Sequence, residues 1–174
     1  MKLSEARKIV EREILSSQPE CAIIESATLE YSSCFVFYYQ SKKFIETENF
    51  DEMLVGQGPV FVSRDNGEVY ETGSAYSTEH YLKAFELCGN PYGQPTNKVK
   101  IVGWNEGANK VQATKLIKAV SGLGLSHAKA IVDTVLSNKE SLFEVNTTED
   151  VESVVTKLNE YGFISKQLWS NQSQ

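Results

Sequence analysis

The sequence predicts an α+β chain of two small domains: an N-terminal helix, antiparallel meander and helix, then a βααβαβ domain. Three observations carry this. Apolar periodicity switches between 3.6 and 2, and the N-terminal strands follow one another without intervening helices. A stretch rich in proline and glycine, Gly89-Asn90-Pro91-Tyr92-Gly93-Gln94-Pro95-Thr96-Asn97, interrupts both periods. The charge also divides there: residues 1–92 carry eight basic and fifteen acidic side chains, net −7, whereas residues 93–174 carry nine lysines, no arginine and eight acids, net +1. The expected plan is residues 1–90 as one α+β domain, 91–97 as a linker, 98–168 as the second domain and 169–174 as a tail.

A first helix is expected from Ser4 to about Leu15, apolar at Ala6, Ile9, Val10 and Ile14. The strand candidates are Ala22–Tyr31, Cys34–Gln40 and Val60–Arg64, where β-branched and aromatic residues recur with period two. Asp65-Asn66-Gly67 before Glu68-Val69-Tyr70-Glu71 signals a hairpin, because Asn-Gly accepts the positive φ angles of a tight turn. Ser77 is a natural N-cap for a helix to Leu87 with an apolar face of Tyr81, Leu82 and Phe85, and Gly89 can close it.

Beyond the joint, Val99–Val102 reads as a strand and a helix starts at Lys110. Gly122-Leu123-Gly124-Leu125 allows a tight corner into a helix from about Ser126 to Leu136. A strand over Leu142–Val145 follows. Thr147-Thr148-Glu149-Asp150 approximates a capping box for a third helix, which Gly162 ends before a last strand over Phe163–Trp169.

Composition narrows the function. Apolar residues make up 41% of the chain, enough for real cores, and no apolar run is long enough to span a membrane. Nothing near Met1 reads as a signal peptide, so a soluble cytoplasmic protein is expected. Cys21, Cys34 and Cys88 are widely spaced, without a C-x-x-C pair, and read as reduced packing residues. A net charge of −6 argues against general or sequence-specific nucleic-acid binding. His80 and His127 lie in different domains, and no nucleophile elbow, zincin or phosphate-loop motif occurs. No catalytic residue, metal ligand or cofactor is expected.

Three groups of residues could meet a partner. Phe35, Phe37 and Tyr39 share one face of a strand whose other face is also apolar, so the strand is either covered on both sides or presents an aromatic surface. Glu46, Glu48, Asp51 and Glu52 form the densest acidic group, either a solvated loop or a site for a basic partner. Lys110, Lys115, Lys118 and Lys129 surround the helix-hairpin; a lysine patch lacking arginine and aromatic stackers suits an acidic protein surface better than RNA bases.

Residues 107–133, GANKVQATKLIKAVSGLGLSHAKAIVD, resemble the C-terminal domain of the bacterial ribosomal stalk protein, the acidic seven/twelve protein of the large subunit, over about 98–168. The resemblance implies a surface that recruits translational GTPases, falling here on Lys110, Val111, Gln112, Ala113, Thr114, Lys115, Lys118, Leu125, His127 and Lys129. Thr114 replaces an aliphatic residue of that family, and Ser126-His127 a Lys-Glu pair. The family's dimerising domain and alanine-rich hinge have no counterpart, so the chain is not expected to be a stalk subunit.

Residues 1–90 resemble the immunity-protein-35 family of bacterial toxin–immunity systems, through Glu46-Thr47, Leu54-x-Gly56-x-Gly58-Pro59, Asp65-x-Gly67, Gly73-Ser74-Ala75 and Glu79-x-Tyr81. That resemblance implies a small non-catalytic α+β protein that binds and neutralises a toxin. The expected function is therefore a bacterial immunity protein with a stalk-like recognition domain. The alternatives are an accessory docking on translational GTPases or the ribosome and, more weakly, a small chaperone.

Overall fold

Ala6 and Val10 form the buried stripe of the first helix, α1 (Leu3–Glu13), in a computed structural model that describes residues 1–171. The Glu5 carboxylate accepts the backbone N–H of Lys2 at the start of this helix. Eight further regular elements of the N-terminal half follow in order: β1 (Cys21–Ile23), β2 (Leu29–Glu30), β3 (Cys34–Phe37), β4 (Tyr39–Ser41), α2 (Lys42–Thr47), β5 (Gln57–Ser63), β6 (Val69–Gly73) and α3 (Thr78–Cys88). Strands pair antiparallel in the order β2-β3-β5-β6, while β1 pairs with β4 alone.

Two core clusters show why β3 and β5 are apolar on both faces. Phe35, Phe37, Val60 and Val62 pack with Ala6 and Val10 of α1. Val36 and Phe61 pack on the opposite face with Tyr81 and Phe85 of α3. The sheet lies between helices, so alternation of polar and apolar residues is lost where both faces are covered. Phe35, Phe37 and Tyr39 are thus core residues, and the aromatic docking surface is corrected to a covered strand.

The expected strand 22–31 is split by a 3₁₀ turn at Glu25–Ala27, and the expected strand 34–40 breaks at Tyr38. Both breaks have one cause: β1 pairs with β4 in one sheet and β2 with β3 in the other, and a single straight strand cannot serve both sheets. The hairpin after β5 is wider than a two-residue turn. Gly67 donates to the Ser63 carbonyl, and only Gly67, at φ 73°, takes the left-handed conformation, not Asn66. At α3 the Ser77 hydroxyl accepts from His80 N–H, as its cap position requires.

The C-terminal half runs β7 (Gln94–Trp104), α4 (Lys110–Ser121), α5 (Leu125–Leu136), β8 (Ser141–Glu144), α6 (Val151–Glu160) and β9 (Phe163–Ser170). This is the expected βααβαβ order, with an antiparallel sheet β8-β7-β9. Val99, Ile101, Phe143 and Phe163 from the strands bury Ala113, Ile117, Ala128, Val132, Val154 and Leu158 from the helices. Gly162, at φ 87°, turns from α6 into β9, and a Cβ there would stand 2.9 Å from Ala108 Cα.

The residues thus form two compact units, 1–93 and Gln94–Ser170, each with its own core. Residues 94–97, expected in the linker, belong to β7 instead, and Pro95 pairs with Trp169. Proline is tolerated because β8 pairs only with Lys98–Ile101, so β7 has a neighbour on one side at Pro95. The cap of α6 is Asp150, whose carboxylate accepts Ser153 N–H, rather than Thr147; residues 147–150 form a turn before the helix. The strand β9 continues through Ser170, into the expected tail, while residues 172–174 lie outside the described residues.

Candidate functional site

Between β3 and β5, paired neighbours in the sheet, the chain leaves the sheet for residues 38–56. An antiparallel pair can be joined by about 2–5 residues, and a much longer connection marks a segment with its own task. This lobe contains β4, α2 and a 3₁₀ turn at Phe50–Glu52. Buried Gln40 pins it: the side-chain amide donates to the Leu54 carbonyl at 3.1 Å and accepts Leu54 N–H at 2.6 Å. Ser41 adds a second pin by donating to the Glu52 carbonyl and accepting Phe44 N–H, which caps α2. Leu54 packs against the core below. Satisfied buried polar groups of this kind hold a loop in one conformation.

On this frame Glu46, Glu48, Asp51 and Glu52 are exposed. Glu52 faces Lys43 at 3.8 Å, while Lys42 donates to the Pro19 carbonyl at 2.6 Å. Glu46, Glu48 and Asp51 take part in none of the ion pairs among the described residues. The sequence reading missed the apolar residues between these acids. Phe50 is 77% and Val55 79% exposed, with Ile45 and Met53 partly so. The available signal was negative: in Phe44-Ile45-Glu46-Thr47-Glu48-Asn49-Phe50-Asp51-Glu52-Met53-Leu54-Val55 the apolar residues follow neither period two nor 3.6.

In the second unit, the expected surface residues divide by helix face. Val111, Lys115 and Lys118 follow one another at i, i+4 and i+7 on α4 and are exposed, as is Gln112. Leu125, His127 and Lys129 are exposed on α5. Val111 at 60% and Leu125 at 58% exposure offer apolar area beside these charges. Ala113 and Thr114 are buried against the core and are corrected out of the surface. The Thr114 hydroxyl donates to the Lys110 carbonyl at 2.8 Å, so it is satisfied within its own helix. Lys110 is half-buried and forms an ion pair with Asp133 of α5, which occupies its charge inside the unit.

Cys21 and Cys34 are buried and Cys88 half-buried, all as free thiols, and burial pushes the thiols of Cys21 and Cys34 up from their ordinary values. Among the described residues, no three His, Cys, Asp or Glu side chains converge on a possible metal position, and no helix is long and apolar enough to cross a membrane.

The fold is that of a two-domain α+β chain, and matches to two protein families support a protein-interaction role. Residues 4–84 match the family described as Immunity protein 35, and residues 98–164 match the Ribosomal protein L7/L12 C-terminal domain. Among individual relatives, the uncharacterized protein YrhB of Escherichia coli (strain K12) is 29% identical over 65 residues, 37% of this chain and 69% of that protein. The large ribosomal subunit protein bL12 of Dichelobacter nodosus is 35% identical over 72 residues, 41% of this chain and 57% of that protein. Its counterpart in Clostridium perfringens (strain SM101 / Type A) is 39% identical over 62 residues, 36% of this chain and 49% of that protein. The chain therefore spans only about half the length of the bL12 relatives it matches. No solved structure matches significantly.

Proposed function

We propose that the chain is a bacterial immunity protein whose N-terminal unit binds and neutralises a cognate toxin, and whose stalk-like unit is a second protein-recognition module. One observation carries the reading: Glu46, Glu48 and Asp51 stand exposed, outside the ion pairs of the described residues, on a pinned lobe of a domain with net charge −7 over residues 1–92. Unpaired carboxylates held in a fixed array accelerate association with a cationic protein, and toxins that act on nucleic acid carry that sign. The Immunity protein 35 match over 4–84 covers the whole lobe and supports the reading.

The test co-expresses the full chain with the product of each gene flanking its own and follows host growth and complex formation. Rescue of growth by wild type is expected. The triple variant Glu46→Lys, Glu48→Lys, Asp51→Lys should associate more slowly, and the wild-type rate should fall as salt rises. Absence of rescue, or a rate indifferent to both salt and charge reversal, counts against the reading.

A second reading, docking onto a translational GTPase, draws on the exposed Val111 and Leu125 beside Lys115, Lys118 and Lys129. Titrating the full chain against purified elongation factors at low salt separates the two. Tight binding that vanishes when the three lysines become alanine would favour this reading over the immunity role.

A further inference from the structure

The lobe over residues 38–56 holds more apolar surface in solvent than its fold requires. Leu54 alone among its aliphatic residues packs onto the core cluster, while Phe50 and Val55 are more than three-quarters exposed on either side of it. Phe50 contacts the Phe44 ring at 6.0 Å between centroids and otherwise faces solvent. Large apolar side chains on a mobile loop would collapse onto the nearest apolar surface. Here they cannot, because Gln40 holds both backbone polar groups of Leu54 and Ser41 holds Glu52. The backbone is fixed on both sides of Met53, and the 3₁₀ turn carrying Phe50 is capped by Asn49 accepting Asp51 N–H. Such preorganisation removes the ordering cost that a free loop would meet on binding.

We propose that Phe50 and Val55 are the anchors of the immunity interface, inserted into an apolar socket with a cationic rim on the toxin. The proposal rests on the immunity reading above and names the chemistry of the partner at that same lobe. The rim follows from charge: Glu46 and Glu48 precede Phe50 and Asp51 follows it, all three lacking ion pairs among the described residues, so a socket edged with lysine or arginine complements them. The anchors displace water at the centre and set the lifetime of the complex. The carboxylates lie at the edge and set the rate of encounter.

The experiment measures association and dissociation of the purified full chain against the purified flanking-gene product whose toxicity it relieves in the growth test, and the absence of any such product counts as a failure of the immunity reading. Phe50→Ala and Val55→Ala should each leave the thermal midpoint within a degree or two of wild type, since neither side chain fills the core. Each should speed dissociation about 10-fold or more while barely changing association. The charge-reversed triple variant should do the converse. If charge reversal slows association but both alanine variants bind like wild type, the anchor proposal fails and the acidic reading survives. If wild type does not bind, the immunity reading fails and the proposal falls with it. A midpoint lowered by many degrees in Phe50→Ala would show a packing residue rather than an anchor, and would also overturn the proposal.

Discussion

Tyr39 shows how a residue that looks like a docking aromatic becomes part of the interior. Its hydroxyl donates to the Glu71 carboxylate, and its pKa is pushed up to about 12, by desolvation first and by that hydrogen bond second. Tyr70 is likewise pushed up to about 12, chiefly by desolvation. Because both folded values lie above the unfolded value of about 10, the native state keeps protons that the unfolded chain gives up. Stability should be unaffected by these groups below about pH 10 and decline as pH rises from about 10 toward 12. Thermal midpoints across that range should fall less steeply for Tyr39→Phe than for wild type, and parallel slopes would refute the assignment. The residue identities were legible in the sequence but their exposure was not. Phe35, Phe37 and Tyr39 have the same alternation whether one or both faces of their strand are covered, and α3, more than forty residues away, supplies the second cover for Val36.

At the scale of the element, α4 separates fold from surface within three consecutive turns. Ala113, Thr114, Ile117 and Val120 face the core, while Val111, Lys115 and Lys118 face water. Replacing Thr114 by Val removes a hydroxyl already paired with its own helix, so the fold should change by less than about 1 kcal/mol. Ala113→Asp buries an unpaired carboxylate and should cost about 3 kcal/mol or more, whereas Val111→Asp should leave stability nearly unchanged. Thermal melts of the three variants check this ordering. The helix start at Lys110 was read from the sequence, and the structure adds its cap, the Asn109 side chain accepting Gln112 N–H. The inward position of Thr114 was not, since a threonine in place of an aliphatic residue reads equally as an exposed departure or as a buried one with a satisfied hydroxyl.

At the scale of the molecule, the second unit begins at Gln94, inside the Pro-Gly stretch rather than after it. Val145 N–H donates to the Asn97 carbonyl, Thr96 donates to the Leu168 carbonyl, and Gln167 donates to the Thr96 carbonyl, each at 2.7 Å. Fragments 1–93 and 94–171 should each melt cooperatively, because each contains a complete core. A fragment beginning at residue 98 loses those three bonds and should be less stable than 94–171 by about 2–4 kcal/mol, taking roughly 1 kcal/mol per bond. Denaturant midpoints of the two fragments test the difference, and equal midpoints would place residues 94–97 outside the folding unit.

The sequence by itself determined the α+β class, the first helix, the helix from Ser77 to Leu87 and the path βααβαβ of the second half, because period and capping are local properties that each segment carries alone. It did not show α2 (Lys42–Thr47), which interrupts the strands expected to follow one another. Tertiary structure alone decided that the aromatic strand is covered twice, that Pro95 extends a strand, and that Ala113 and Thr114 turn inward. It also decided that Phe50 and Val55 stand in solvent, because exposure depends on which distant side chains arrive at each face. Gln40 shows this most directly: as a lone polar residue at the end of an apolar run it carries no local signal, and only its bonds to Leu54, fourteen residues on, reveal that it holds the lobe in place.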